Sequence, residues 1–217
     1  MAATVRVWDL PTRLFHWALA VCVIGMAITA YSDDWLEWHA RIGYAVFALL
    51  LFRIVWGFIG GRWSRFASFL YAPTAVVAYL RGRSHPDHLV GHNPLGAGSV
   101  FAMLVFLLAQ VGTGLVSDDE SMFHGPLNPY VSSSKALAAT WYHKRVGQWI
   151  LLALVVLHIA AVMYYLVRKR ENLVRPMVAG DKLVASQAPH SRDDAASRTV
   201  ALMVFAVCAG FVWWLVK

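Results

Sequence analysis

Between His143 and His158 the chain reads HKRVGQWILLALVVLH, an apolar run framed by two histidines. Leu, Ile, Val and Ala follow one another almost unbroken, which makes a helix suited to lipid or to a deep core. Fifteen steps of about 100° amount to four turns plus roughly 60°, so both imidazoles lean to one face. At about 1.5 Å per residue they stand ~22 Å apart along the axis, most of the thickness of a hydrocarbon core. An imidazole inside a membrane helix is expensive and usually has a task. Two of them at two depths predict two stacked metal centres.

The rest of the chain agrees with a membrane setting. Of its 217 residues, 59% are hydrophobic and only 14% charged, and mean hydropathy is +0.55. A water-soluble domain of this size could not hide that much apolar surface, so the class is integral membrane. A net charge of +7 would raise nucleic acid as a partner in a soluble protein. Here the basic residues cluster beside apolar runs, which is a topology signal and leaves no call for nucleic acid. The two cysteines, Cys22 and Cys208, both lie inside apolar runs, and there is no C-x-x-C-H, which excludes a covalently attached c-type haem. The N-terminal MAATVRVWDLPTR is polar and leads directly into a full-length span, as expected of a mature polytopic protein rather than of a cleavable signal.

Five runs are long enough to cross a bilayer: about 14–31, 39–59, 97–116, 143–167 and 199–216. Lys and Arg in the connections and termini, with Lys144 and Arg145 counted at the mouth of the fourth run, divide thirteen to four between the two sides, which places the N-terminus in the cytoplasm and the C-terminus in the periplasm. Pro73 and Gly82 bracket a short helix on the inner membrane surface. The polar stretch 179–198 reads as an unstructured linker.

This topology sorts the histidines by depth. His16 lies near the inner end of the first span, and His158 is deep along the fourth toward the same side. His39 and His143 each open a span at the outer surface. Each level therefore receives two imidazoles from two different helices, the arrangement a bis-histidine haem needs. A single membrane histidine is as readily an interhelical hydrogen-bond donor; four that pair by depth and by helix are hard to attribute to chance.

His39 and His143 share the frame H-x-R-(I/V)-G. Gly43 and Gly147 fall one turn beyond each histidine, where a flat macrocycle or a close helix contact needs a missing side chain. Arg41 and Arg145 lie near the outer surface, facing either haem propionates or lipid headgroups. Arg53, fourteen residues after His39, reaches the depth of the inner pair and is read as a propionate partner there. His85, His88 and His92 in HPDHLVGHNP have spacings compatible with zinc but lack a clear fourth ligand. Gln110 in the third span is read as an interhelical hydrogen bond.

Several separated blocks, VWDLPTRLFHW, HARIGYAVFALLLFRIVWGFIG, GHNPLGAG, the His143–His158 helix and RKRENLVRPMVAGDK, resemble in order the bacterial cytochrome b561 / nickel–iron hydrogenase b-type cytochrome family. The likeness runs from Val5 to about Lys182. It implies an all-α integral membrane protein with a four-helix transmembrane bundle holding two b haems, ligated by His16, His39, His143 and His158. The expected organisation is a dihaem domain at 1–178, the linker at 179–198 and a fifth transmembrane helix at 199–217. The family usually spaces its fourth-helix ligands by fourteen residues, and here the spacing is fifteen, which makes His143 the ligand that departs from the pattern.

The implied function is electron transfer across the inner membrane, between the quinone pool and a periplasmic partner such as a c-type cytochrome or a dehydrogenase subunit. Arg13, His92 and Asn93 are candidates for a quinone site beside the inner haem. Two rivals stand beside this. One is superoxide:quinone oxidoreductase activity at the periplasmic face, as in similar family members. The other is a haem-free membrane anchor or a transporter using the histidines as a proton relay.

The charge asymmetry gives a topological prediction. A reporter fused after Lys217 should register the periplasm, and one inserted within 185–192 the cytoplasm. Both on the same side would mean that the fifth run does not span.

Overall fold

A computed structural model describes residues 3–83, 88, 90–120, 123–184 and 188–217. In chain order the elements are β1 (Ala3–Arg6), α1 (Leu10–Thr29), α2 (Leu36–Ile59), α3 (Pro73–Leu80), α4 (Pro94–Leu115), α5 (Ser133–Tyr142), α6 (Gln148–Arg168), α7 (Val174–Ala179), β2 (Asp181–Val184) and α8 (Ala195–Val216). A π-helical turn, His143–Gly147, joins α5 to α6. Five of these stretches, at 10–29, 33–59, 94–115, 133–168 and 195–216, are long and apolar enough to cross a membrane. The architecture is thus the expected all-α integral membrane protein, with one two-stranded antiparallel ribbon added.

Local signals explain where the helices start and stop. α4 begins at an Asn-Pro pair: the side-chain oxygen of Asn93 accepts the Gly96 amide at 2.8 Å, while Pro94 occupies the first turn, where no donor is missed. α3 ends as Pro73 and Gly82 predict, with Gly82 in the left-handed region at φ +80°. The fourth span does not open at His143. It starts ten residues earlier, because SSKALAATWY is itself helix-forming, and it runs unbroken through the π turn. His39 likewise sits inside its helix, which opens at Leu36 after a single 3-10 turn at Asp33–Trp35.

The chain divides into two compact units. One comprises residues 1–16, 53–102 and 157–204, the other 17–52, 103–156 and 205–217. In the first, a buried core of Val5, Val7, Trp8, Trp63, Val90 and Val184 sits beside an enclosed carboxylate. Asp9 is fully buried. Its Oδ1 accepts the Thr12 amide at 2.8 Å and the Trp56 indole at 3.2 Å; its Oδ2 accepts the Gly61 amide at 3.0 Å and the Ser64 hydroxyl at 2.8 Å. Four donors compensate the desolvation of one charge and fix the start of α1 to the end of α2.

The stretch 179–198 is not an unstructured linker. β2 pairs in antiparallel register with β1, Arg6 opposite Asp181. Gly180, at φ +92°, turns the chain into that strand, and its carbonyl accepts the Val7 and Trp8 amides at 2.9 and 3.1 Å. Downstream of 185–187, which lie outside the described residues, the Ser191 hydroxyl donates to the Val7 carbonyl at 2.7 Å and the Trp63 indole donates to the Pro189 carbonyl at 2.9 Å. Asp194 caps α8 by accepting the Ser197 amide at 2.7 Å, so the fifth spanning helix begins four residues before its expected start. The composition of this stretch is that of a linker. Its order comes from partners about 180 residues away, which composition does not show.

Asp193 closes this latch. It accepts the Leu10 amide at 3.1 Å, Arg6 at 2.8 Å and Arg198 at 3.0 Å. Burial alone would raise its carboxyl, but the bonds from Arg198, the Leu10 amide and Arg6 outweigh it and hold the group below the usual carboxylate range. A depressed folded-state value means that the stabilisation is present above the ordinary carboxylate pKa and is lost as pH falls through the folded one. Asp193→Ala should therefore cost roughly 1.5–3 kcal/mol at neutral pH. In thermal melts of the detergent-solubilised protein, the gap between variant and parent should narrow as the pH is taken below about 4.

Candidate metal centres

In the second unit, His39 on α2 and His143 in the π turn face each other with ring centres 6.2 Å apart. Their Nδ1 atoms are already committed. The Thr29 hydroxyl donates its proton to the Gly25 carbonyl at 2.8 Å, so toward His39 Nδ1, at 3.1 Å, it can only accept. His143 Nδ1 lies 2.9 Å from the main-chain carbonyl of Gln110, which again can only accept. Both rings therefore carry their proton on Nδ1 and leave Nε2 as a lone-pair donor. The remaining space is tight: a Cβ added at Gly114 would stand 3.0 Å from His143 Cε1.

In the first unit, His16 on α1 and His158 on α6 repeat the arrangement with ring centres 6.3 Å apart. Arg53 is buried at 4% exposure, its guanidinium 4.8 Å from the centre of the Phe66 ring. Its Nη1 has no hydrogen-bond partner among the described residues, an expensive state for a charged donor away from water. His92 is clasped between Trp8 at 4.7 Å and Phe69 at 4.6 Å, with a buried Nδ1 that has no hydrogen-bond partner among the described residues. Burial first, and then positive charge on Arg53, push it down to about 3, so the ring is neutral.

The structure thus brings together His39 with His143 and His16 with His158, as the depth argument requires. The other expected residues fare differently. Arg41 is exposed, pairs with Glu37 one turn back and lies over Trp38; Arg145 is exposed as well. Gly43 is half-buried, and a Cβ there would meet only Met26 at 3.8 Å. Gly147 is a close-packing position, where a Cβ would fall 2.0 Å from Gln110 Oε1. Arg13 donates to the Val178 carbonyl, and Asn93 donates to the Tyr165 hydroxyl at 2.7 Å. Of the three histidines read as zinc-spaced, His85 lies outside the described residues, His88 packs on Tyr71 and Tyr79 and His92 between Trp8 and Phe69, and no group of three or more candidate ligands occurs among the described residues. Thr29, Gly114 and Thr113, whose hydroxyl lies 3.4 Å from His143 Nδ1, escaped the sequence reading. The signal for Thr29 and Thr113 was only that a hydroxyl stood in an otherwise apolar span.

Residues 7–180 match the family described as prokaryotic cytochrome b561. The chain belongs to that family. It is also 26% identical over 218 residues to a protein of Bradyrhizobium diazoefficiens named "Probable Ni/Fe-hydrogenase B-type cytochrome subunit", with 82% of this chain and 86% of that protein covered. A protein of the same name from Cupriavidus necator is 27% identical, covering 80% of this chain and 85% of its own length. The Escherichia coli (strain K12) protein named "Probable Ni/Fe-hydrogenase 1 B-type cytochrome subunit" is 21% identical, at 80% and 88% coverage. The match stops before α8.

A b-type cytochrome uses haem b, and the imidazoles of this cytochrome b561 family member fit it. A metal held between two imidazoles at ~2 Å per bond needs ring centres about 6 Å apart, which both pairs provide. The unpaired Arg53 Nη1 is the donor that an anionic haem carboxylate would satisfy.

Proposed function

We propose that the protein is a dihaem b-type cytochrome of the bacterial inner membrane, moving electrons between the quinone pool and a periplasmic redox partner. His39 and His143 hold one haem b, and His16 and His158 hold the other. The observation that carries this reading is the repeated spacing of 6.2 and 6.3 Å between imidazoles drawn from different helices. Haem b supplies one-electron chemistry when bound, and the protein sets its potential through ligands, burial and nearby charge. Thr29 and the Gln110 carbonyl hold the Nδ1 protons of the outer ligands and so keep Nε2 turned inward. Arg53 is the counter-charge for an inner-haem propionate. Arg41 and Arg145 are surface charges beside the outer haem, and Gly43 is the small residue next to it.

The names of the relatives support a dehydrogenase-type partner, of which a hydrogenase is one kind, over a free c-type cytochrome. Superoxide oxidation at the outer face is the weaker reading. A cavity of about 480 Å³ on that side is lined by Asp33, Glu37 and Asp119 with Arg41, Leu36, Tyr44 and Phe123. Arg41 is paired with Glu37, and three carboxylates against one arginine disfavour an anion.

Arg53 provides one test. If it neutralises a propionate in a low-dielectric site, Arg53→Leu should lower the midpoint potential of one haem or its retention and leave the other haem unaffected. Potentiometric titration reads this directly; two unchanged potentials at full haem content would return Arg53 to helix packing.

The pairing itself provides the decisive test. A reduced-minus-oxidised spectrum of the purified protein should show sharp α bands, with two haems per chain. His39→Ala and His143→Ala should leave the same residual band, and His16→Ala should match His158→Ala while differing from the first two. Absence of haem would favour the anchor or proton-relay rival. Cross-matched spectra would overturn the assignment of ligands to haems.

A further inference from the structure

The His143–Gly147 π turn accounts for the fifteen-residue spacing. A π turn accommodates one extra residue within a helix. With that residue absorbed, fourteen ordinary steps separate His143 from His158, about 40° short of four turns. Such a turn also disturbs the regular ladder of main-chain hydrogen bonds, and here two of its carbonyls accept from side chains. Gln148 Nε2 donates to the Lys144 carbonyl. Gln110 Nε2, from α4, donates to the His143 carbonyl at 3.0 Å.

Gln110 therefore grips His143 twice. Its amide holds the histidine's main chain at 3.0 Å, and its own main-chain carbonyl accepts from the histidine's Nδ1 at 2.9 Å. The amide has one seat only. Its Oε1 is buried with no hydrogen-bond partner among the described residues, and it rests where a Cβ on Gly147 would come within 2.0 Å of it and within 2.8 Å of Tyr142 Cε1. Gly147 is thus the space that admits Gln110. One turn beyond Gln110 on α4, Gly114 leaves room for the imidazole ring itself.

We propose that Gln110, seated on Gly147, is the positioning residue that holds the π turn in place and, through His143, sets the potential of the haem that His143 ligates. The inference rests on His143 being an iron ligand. An imidazole whose Nδ1 proton is well held by a carbonyl is the stronger donor to iron and favours the oxidised state. Loosening the grip should raise the potential of that haem alone.

The test compares purified, haem-loaded variants by haem per chain, potentiometric titration and electron paramagnetic resonance of the oxidised protein. Gln110→Met keeps the shape of the side chain and removes its donor. It should retain both haems and raise one midpoint potential, that of the haem lost in His39→Ala, by roughly tenfold in the reduction equilibrium, ~59 mV for one electron. Gly147→Ala should reproduce the shift by unseating Gln110. Adding Gly147→Ala to Gln110→Ala should have a much smaller effect than Gly147→Ala alone, because only the Tyr142 ring edge, 2.8 Å from the new Cβ, is then left to give way. An unmoved potential and resonance spectrum in Gln110→Met would overturn the proposal. So would a Gly147→Ala effect that persists in full without Gln110, since the glycine would then face something other than the amide. Failure of the underlying reading looks different: His143→Ala would retain both haems.

Discussion

The spacing between two imidazoles, about 6 Å from centre to centre, is the constraint on which the rest of this protein depends. A histidine can reach iron only if its other nitrogen is occupied, its ring is held at one angle and its helix is held at one height. In an apolar span the acceptors for that other nitrogen are scarce. The second unit draws them from a threonine hydroxyl already spent on its own helix and from a main-chain carbonyl on a neighbouring one. Neither can donate to the ring, so the tautomer follows from simple accounting of protons.

Charge is handled differently in the first unit. Asp9 is buried and fully satisfied by four donors, which makes it a structural anion that fixes the entry of α1 against the end of α2. Arg53 is buried with one donor unmatched among the described residues. Native structures leave few buried polar atoms unmatched, and a charged one demands a partner of opposite sign. A saturated carboxylate in the framework thus contrasts with a guanidinium that keeps one donor in reserve, the feature on which the proposed propionate contact rests.

The ribbon and the Asp193 latch show how the fifth helix is attached beyond the region that defines the family. Arg6 reaches Asp181 and Asp193, and Asp193 in turn reaches the start of α1 and the start of α8. The N-terminal strand and the segment before α8 are thereby fastened by ion pairs centred on the buried Asp193 carboxylate and by main-chain pairing, so α8 enters the membrane from a fixed base.

Much of this was legible in the sequence. The length of the apolar runs gave the five spans, because a helix satisfies its own backbone hydrogen bonds where lipid offers none. The helical period and the order of the spans then paired His16 with His158 and His39 with His143, since residues at one depth on adjacent helices must meet. The Pro73–Gly82 helix and the role of Gln110 as an interhelical donor followed from residue type. What the tertiary structure decided lies in contacts between distant segments. The linker-like composition of 179–198 conceals a strand, because its partner Ala3–Arg6 stands at the other end of the chain. The extra residue before His158 is absorbed as a π turn rather than a kink because an amide from α4 is there to meet the freed carbonyl and Gly147 leaves room for it. Spacing along one helix can reveal that a residue has been inserted; where the backbone takes it up depends on which neighbouring side chain can satisfy the hydrogen bond that the insertion breaks.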